Sequence, residues 1–583
     1  MKTERISQNL AITLILMIVM SACQKDFLEK PQGSDTTVDS IFSTSLKAQS
    51  AIALAYSQSL AVGITLSGWD GNRDYGLCGG TLANISGEVN DLKYNWGDSW
   101  KIQHSGMTAD DGSGKPLSDD GFNFNFKSIR QNNLVIENID KVVDMSAVEK
   151  EQVKAEMKTL IAYRYEEMFK RYGGVPLVKK SLNTKDSIKI PRASLEQTLD
   201  FILTLCDEAA LVLPDTYPEK WKGRVTKGVA LAIKAEALMY AARPLFNSAT
   251  PYMDLGANNN LICFGNADPA RWQKALDANT AVLDWTHANN YRIITTGSPL
   301  DDYGTAVATP GNVEVLLAYK SQSAFGGYYD QRSEGGGSNG MSFYQMSQYL
   351  KADGTEQTWP TEITPYADYA TRIQEMEPRY KASAGAAGID AWNNPNDTEW
   401  NSTAMSNRST WEGRGGTEAC GRRVKFWYHA GTRDWFEFPL YRVAEFYLNL
   451  AEAYNELGQP AMTQTNLNVI RNRAGLPNIT ESNQANLRKM IQREWAVEFY
   501  EENHQYFDVK HWKLADIGNG IIGGPKLSFI FTYINGNFGL VATDYISYIT
   551  QTVYTGFWKS NQYLTPFPQQ EINKGYLIQN PGY

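Results

Sequence analysis

The chain has 583 residues and a formal net charge of −9, with a sequence pI near 5.4. That acidic balance argues against nucleic acid as a partner, because a phosphate backbone needs a basic surface. The length allows three or four ordinary domains or one large repeat-like body. Beyond Cys23, the cysteines Cys78, Cys206, Cys263 and Cys420 are too scattered to make a disulfide framework. Cys206 lies on a helical pattern and reads as a small core residue.

Lys2 and Arg5 precede an apolar run from Leu10 to Met20, then Ser21-Ala22-Cys23. A basic start, a short apolar core and small residues read as an export signal. The run is too short to span a bilayer comfortably. Met-Ser-Ala-Cys resembles a bacterial lipobox, with Met20 where leucine is usual. The resemblance implies removal of residues 1–22 and acylation, palmitate included, of the Cys23 thiol and its new amino group. Several chains on one residue make a stable anchor, at about 0.8 kcal/mol per buried methylene. Gln24-Lys25-Asp26 resembles tags that send lipoproteins to the outer leaflet. No later segment is long and apolar enough for a membrane helix, so the mature chain reads as a soluble body on a lipid tether.

Ser40 to about Leu60 reads as a first helix with Ser40 as its cap. Residues 66–120 then lose periodicity and carry SGWDGNRDYG and DLKYNWGDSW. A loop this long inside a compact domain is functional or disordered, and its aromatic content argues against disorder. Asp110-Asp111 and Ser118-Asp119-Asp120 gather hard oxygens without the spacing of an EF-hand. They read as solvated acidic turns, and no metal is expected. Phe124 to Val143 returns to helix. Ser146-x-x-Glu149 is a capping box for a long helix to about Arg171, broken by Tyr172-Gly-Gly. Ser194-x-x-Gln197 opens the next helix, Ala230 to Arg243 forms another, and Asp268-Pro269 caps one through about Trp285. Asn312 to Ala318 alternates like a short strand. Residues 321–435 are again irregular, with a glycine-rich loop at Gly326–Gly337 and Trp359, Trp392, Trp400 and Trp411 at no regular spacing.

Tyr441 to Pro477 organises the rest. Val443, Phe446, Tyr447, Leu450, Ala451, Tyr454 and Leu457 recur at the steps of one helix face. Gly458 supplies a left-handed stop and Pro460 suits the first turn of the next helix. The link is so short that the two helices must run antiparallel, and the phrasing is that of a tetratricopeptide repeat. Asn486 to about Glu502 is helical. Phe507 to Trp512 extends that helix or packs beside it, and Leu564 to Tyr583 is ordered only if docked.

Several blocks together resemble the SusD/RagB family of outer-membrane nutrient-binding lipoproteins. They are the lipobox with Phe27-Leu-Glu-x-Pro31, then Ala162–Val178, Ile190–Pro214, Gly223–Asn247, the hairpin, Ile491–Trp512 and Pro566–Tyr583. The family often has arginine where this chain has Trp495, Gln505 and His511, which implies rewired ion pairs around Glu494, Glu498 and Asp508. The resemblance implies a mostly α fold of tetratricopeptide-like helical pairs with long irregular aromatic-rich inserts. Its regions would be 23–240, with the insert 66–120, and 241–583, with the insert 321–435. It further implies a surface receptor seated on a SusC-like, TonB-dependent transporter. Such a receptor captures oligosaccharides or, in the RagB-like branch, peptides, and needs no cofactor.

The sequence carries no H-E-x-x-H, no G-x-S-x-G and no P-loop, and His504 and His511 read as structural. A glycosidase needs only two well-placed carboxylates, but nothing singles out a pair. The chain reads as non-catalytic. A sugar wants a flat ring to stack on and planar polar groups around its rim. Trp69-Asp70 with Arg73, Tyr94-Asn95-Trp96 with Trp100, Tyr328-Tyr329 with Arg332, and Trp359 offer that combination. Each aromatic has an alternative as a core plug, and the whole chain has alternatives as a peptide receptor or a scaffold.

Overall fold

The structure, a computed structural model, describes residues 37–60, 105–110, 112, 121–321, 341–386, 420–423, 425, 436–515, 521–534, 543 and 545–583. It is mostly helical, as expected. The opening helices are α1 (Ser45–Leu60), α2 (Phe122–Asn138), α3 (Ala147–Tyr172), α4 (Leu195–Ala210), α5 (Lys227–Ala242) and α6 (Ala270–Ala288). After α7 (Pro299–Ala308) and strand β1 (Val315–Ser321) come α8 (Phe343–Gln348), β2 (Thr364–Pro365), α9 (Tyr366–Glu375) and α10 (Pro378–Ser383). The chain continues through β3 (Phe436–Arg442), α11 (Val443–Glu456), α12 (Pro460–Arg473), α13 (Gln484–Glu498), α14 (Gln505–His511), β4 (Gly524–Tyr533) and β5 (Tyr545–Gly556). Among the described residues no helix is long and apolar enough to cross a membrane.

Local chemistry sets the helix ends. Ser146 and Ser194 form complete capping boxes with Glu149 and Gln197. α3 stops at Gly173, whose φ of 78° suits glycine, and an added Cβ there would sit 2.5 Å from the Leu261 carbonyl oxygen. Gly458 has φ 71° and Pro460 occupies the first turn of α12. The start of α1 differs from the expectation. Thr37, not Ser40, is the cap, and its Oγ1 accepts the Ser40 N–H at the head of a short helix, Val38–Ile41. α1 begins separately at Ser45, which donates its N–H and its hydroxyl to Asp144.

The helices pack as successive pairs, α3 on α4, α5 on α6 and α11 on α12, with α6 against α11 joining the stack. This is the tetratricopeptide-like arrangement. α5 shows why alanine is needed there: Ala232, Ala235, Ala237 and Ala241 are all buried. Gly228 on the same helix lies under Trp285 of α6, so an added Cβ would be 2.2 to 2.5 Å from three ring carbons. The indole cannot yield, because its Nε1 donates to Asp215 at 2.6 Å and its ring stacks on Tyr291. Gly228→Ala is therefore expected to lose about 1–3 kcal/mol by overpacking, read as a lower urea midpoint with an unchanged slope.

Several expectations need correction or sharpening. Asn312 is not in the strand. Its side-chain amide donates to the carbonyls of Thr305, Ala306 and Thr309 and its oxygen accepts the Glu314 N–H, so it closes α7 and turns the chain into β1. β1 pairs antiparallel with β3. Part of the second insert is regular: α8, β2, α9 and α10 occupy it. β4 and β5 form an antiparallel ladder that sequence reasoning missed. Phe507–Trp512 belongs to a separate helix, set off from α13 by Glu501 and Asn503 at φ 65° and 64°. The tail is docked: Phe567 packs on Phe122 and Tyr172, and the Asn580 amide donates to the Tyr172 carbonyl. Cys206, Cys263 and Cys420 are buried free thiols, whereas Cys23 and Cys78 lie outside the described residues.

Candidate functional site

Three guanidiniums, Arg379 on α10, Arg442 where β3 enters α11, and Arg473 at the end of α12, converge on Glu498 at the end of α13. Arg442 reaches Glu498 at 2.6 Å, Glu314 at 3.0 Å and Glu502 at 2.7 Å. Arg379 adds Glu377 at 2.7 Å and Glu494 at 2.5 Å, and Lys425 meets Glu502 at 2.5 Å. None of these side chains is more than 3% exposed. Burial pushes the Glu498 carboxyl upward, but Arg473, Arg442 and Arg379 overcome it and hold it well below the usual carboxylate range. The network ties α10 to the helical stack, and Tyr380 of α10 shares one apolar cluster with an aromatic wall.

That wall is built from two strands and a helix. Phe529, Phe531 and Tyr533 alternate along β4 and share one face. Their partners in register on β5 are Thr550, Tyr548 and Tyr545. A bulge between Thr532 and Tyr533 places Tyr545 and Tyr548, three residues apart, on the same side. Tyr366 and Tyr369 of α9 pack across them, Tyr366 stacking on Tyr545 with centroids 4.7 Å apart.

Trp359 sits at the margin of the wall. Its ring is 4.8 Å from Phe529 and 6.3 Å from Tyr369, and it is half-buried. Both neighbours are pinned. Arg372 donates to the Thr358 carbonyl at 2.6 Å, and the Pro360 carbonyl accepts the Thr550 N–H at 3.1 Å. Arg372 also binds Asp368 at 2.6 Å and holds that carboxyl below its ordinary value, with the Tyr548 hydroxyl adding a second bond. The indole is thus a rigid ring that plugs the wall with one part and presents another to solvent, with Arg372 and Asp368 nearby.

Of the ligand-binding and lipidation candidates named from the sequence, Trp359 is the one the structure describes. Cys23, Trp69, Asp70, Arg73, Tyr94, Asn95, Trp96, Trp100, Tyr328, Tyr329 and Arg332 lie outside the described residues. So do Asp111, Ser118–Asp120, the loop Gly326–Gly337, Trp392, Trp400 and Trp411. Asp110 makes a local turn, its carboxylate accepting the Gly112 N–H. The wall residues Tyr366, Tyr369, Phe529, Phe531, Tyr545 and Tyr548 were missed. The signal for Phe529 and Phe531 was present in the Phe-x-Phe-x-Tyr alternation of 529–533, followed by Asn535-Gly536, which is a hairpin pattern.

The two histidines of the last helices have structural surroundings. Burial keeps both well below the ordinary imidazole range. His511 bonds the Lys170 carbonyl at 3.0 Å, and His504 packs between Trp495 and Phe499. The ion pairs around the missing arginines are supplied from elsewhere. Glu494 and Glu498 take Arg379, and Asp508 takes Arg243 of the α5 end at 2.5 Å.

The model of the SusD family matches residues 312–583, and a second model, described as starch-binding associating with outer membrane, matches residues 81–237. No curated protein matches the chain. A SusD-like protein of Bacteroides fragilis NCTC 9343 superposes with a TM-score of 0.71 at 22% identity, over 94% of this chain and 98% of its own. A SusD-like carbohydrate binding protein of the same organism gives 0.66 at 18% identity, over 92% and 99%. Surface glycan-binding protein A of Bacteroides uniformis gives 0.55 at 17% identity, again over 92% and 99%. The two family matches and the SusD-like fold agree: this chain belongs to the SusD/RagB family.

Proposed function

We propose that this chain is a non-catalytic surface receptor that captures an oligosaccharide and delivers it to a SusC-like, TonB-dependent outer-membrane transporter. The observation that carries the reading is Trp359, a partly buried indole held on an aromatic wall beside planar charged groups. Such a ring loses little entropy on binding and offers a flat face to the C–H side of a sugar. The carbohydrate- and glycan-binding descriptions of two structural relatives support the same class. The insert residues Trp69, Asp70, Arg73, Tyr94, Asn95, Trp96, Trp100, Tyr328, Tyr329 and Arg332 are the proposed partners of Trp359. A receptor that must release its cargo works with dissociation constants of about micromolar to millimolar.

Affinity electrophoresis of the chain from Gln24 onward tests this, in gels carrying a panel of polysaccharides, with released reducing ends assayed in parallel. Retardation by one glycan class without cleavage is expected, and Trp359→Ala should weaken it about tenfold, or about 1.4 kcal/mol. Retardation by no glycan would sink the reading and turn attention to peptides. New reducing ends would sink the non-catalytic part.

The receptor is placed at the outer face of the outer membrane by acylation of Cys23. Cys23→Ser is expected to move the protein from the membrane pellet to the soluble fraction and to abolish incorporation of labelled palmitate. Retention in the pellet by the variant would refute the anchor.

A further inference from the structure

A groove of about 280 Å³ opens among the end of α5, α6, α11, α13 and the residue after α14. It lies on the helical stack and shares no residue with the aromatic wall. Its lining includes Trp272, which is largely buried, and Trp512, which is partly exposed. Trp512 is locked in place: its Nε1 donates to Glu452 Oε1 at 2.7 Å, and the Arg243 guanidinium lies 4.9 Å from its ring centre. Glu452 is neutralised in turn by a two-pronged bond from Arg243, at 3.0 and 2.8 Å.

At the rim, Arg488 makes a second two-pronged bond, through Nε and Nη2, to Glu456 at 2.6 and 2.8 Å. Arg488 stays 41% exposed, and the pair leaves its Nη1 for another acceptor. The Gln492 amide, on the next turn of α13, also lines the groove and is half-buried. It has no hydrogen-bond partner among the described residues.

We infer that this groove is a second ligand site, for a single uncharged pyranose ring. The two lining carboxylates, Glu452 and Glu456, are each paired with a guanidinium, so the groove presents no unpaired carboxylate to a ligand. The volume lies just below the range of about 300–1,000 Å³ that holds drug-sized ligands, a size that suits one ring. Indole faces accept the C–H side of such a ring. The Arg488 edge and the Gln492 amide, one helical turn apart on α13, are planar groups of the kind that bond sugar hydroxyls. The inference is independent of oligosaccharide capture by the inserts.

Saturation-transfer NMR tests it on the chain from Gln24 onward, with a panel of methyl pyranosides and, separately, N-acetyl amino-acid amides. Transfer to at least one pyranoside is expected, with affinity falling at least tenfold in both Arg488→Met and Gln492→Ala. Both side chains are at the surface, and near-UV circular dichroism verifies that each variant is folded. Gln492 makes no bond whose loss would unfold α13. Transfer to no pyranoside, transfer to the amides alone, or pyranoside binding unchanged in both variants would each overturn the site. Polysaccharide retardation in gels without any monosaccharide transfer would overturn the groove and leave capture by the inserts standing.

Discussion

Glu498→Gln is expected to destabilise the fold by about 3–5 kcal/mol, the range for breaking a buried ion pair by removing one partner. That is a large share of the roughly 5–15 kcal/mol that holds a domain together. The variant leaves Arg379, Arg442 and Arg473 crowded around a neutral amide, with side chains no more than 1% exposed. Those three cations keep the Glu498 carboxyl protonated less readily in the fold than in the unfolded chain. The unfolded chain therefore takes up the proton first, and acid favours unfolding. The contribution of Glu498 is fully present above its unfolded value of about 4.3 and is lost as the pH falls below it. Urea denaturation at pH 7 should show the full deficit of the variant, and the gap to the wild type should narrow below about pH 4. A deficit under about 1 kcal/mol at pH 7 would mean that the arginines find other partners, and would refute the central role given to this carboxylate.

Arg243→Met is expected to cost about as much, 3–5 kcal/mol, for the complementary reason. Arg243 is 2% exposed and is the shared partner of Glu452 and Asp508, which come from α11 and α14. Its guanidinium also lies over the rings of Tyr240 and Trp512. Methionine fills much of the space but leaves two buried carboxylates facing each other. Burial already pushes the Asp508 carboxyl up to about 6, against the downward pull of Arg243. With its folded value above its unfolded one, Asp508 favours folding at low pH, and that contribution is lost as the pH rises through about 4 to 6. Without Arg243 the loss should extend to higher pH, so the deficit of the variant should keep growing above pH 6. Arg243→Lys should not restore stability, since one ammonium cannot bond Glu452 through two parallel N–H groups and Asp508 through a third. A lysine variant as stable as the wild type would show that charge alone, not the planar fork, is what the site requires.

The two variants also separate two roles of the ion networks. The Glu498 network holds α10, and with it α9 and the aromatic wall, against the ends of α12 and α13. The Arg243 network holds α5, α11 and α14 together and orients Trp512 in the groove. Loss of glycan binding in a folded Glu498 variant would therefore act through the position of Trp359, whereas an Arg243 variant would act on the groove.

The tetratricopeptide-like pairs were legible in the sequence because their determinants are local. The capping boxes at Ser146 and Ser194, the stop at Gly458 and Pro460 in the first turn of α12 each act within a few residues. The periodic apolar face of α11 then says which side packs. Where the local signal was ambiguous, the reading slipped by a few residues, as at Thr37 and Ser40, or left two options open, as for α14. The order of the family-like blocks, each of modest specificity, was enough to place the fold.

The candidate site was legible only as composition. That an insert rich in tryptophan, aspartate and arginine suits a sugar follows from the chemistry of those side chains. Whether one indole is a platform or a plug depends on what lies beneath it, and for Trp359 that is Phe529, 170 positions later in the chain. The same separation hides the ion networks, since no local pattern marks Glu314 as the partner of Arg473 or Arg243 as the partner of Asp508. The sequence by itself carried the export signal pattern, the long helices, the antiparallel α11–α12 hairpin and the class of chemistry in the inserts, all set by neighbours along the chain. Only the tertiary structure decided which charges neutralise one another, which aromatics form a wall and where a groove opens, because burial and pairing are properties of segments brought together by folding.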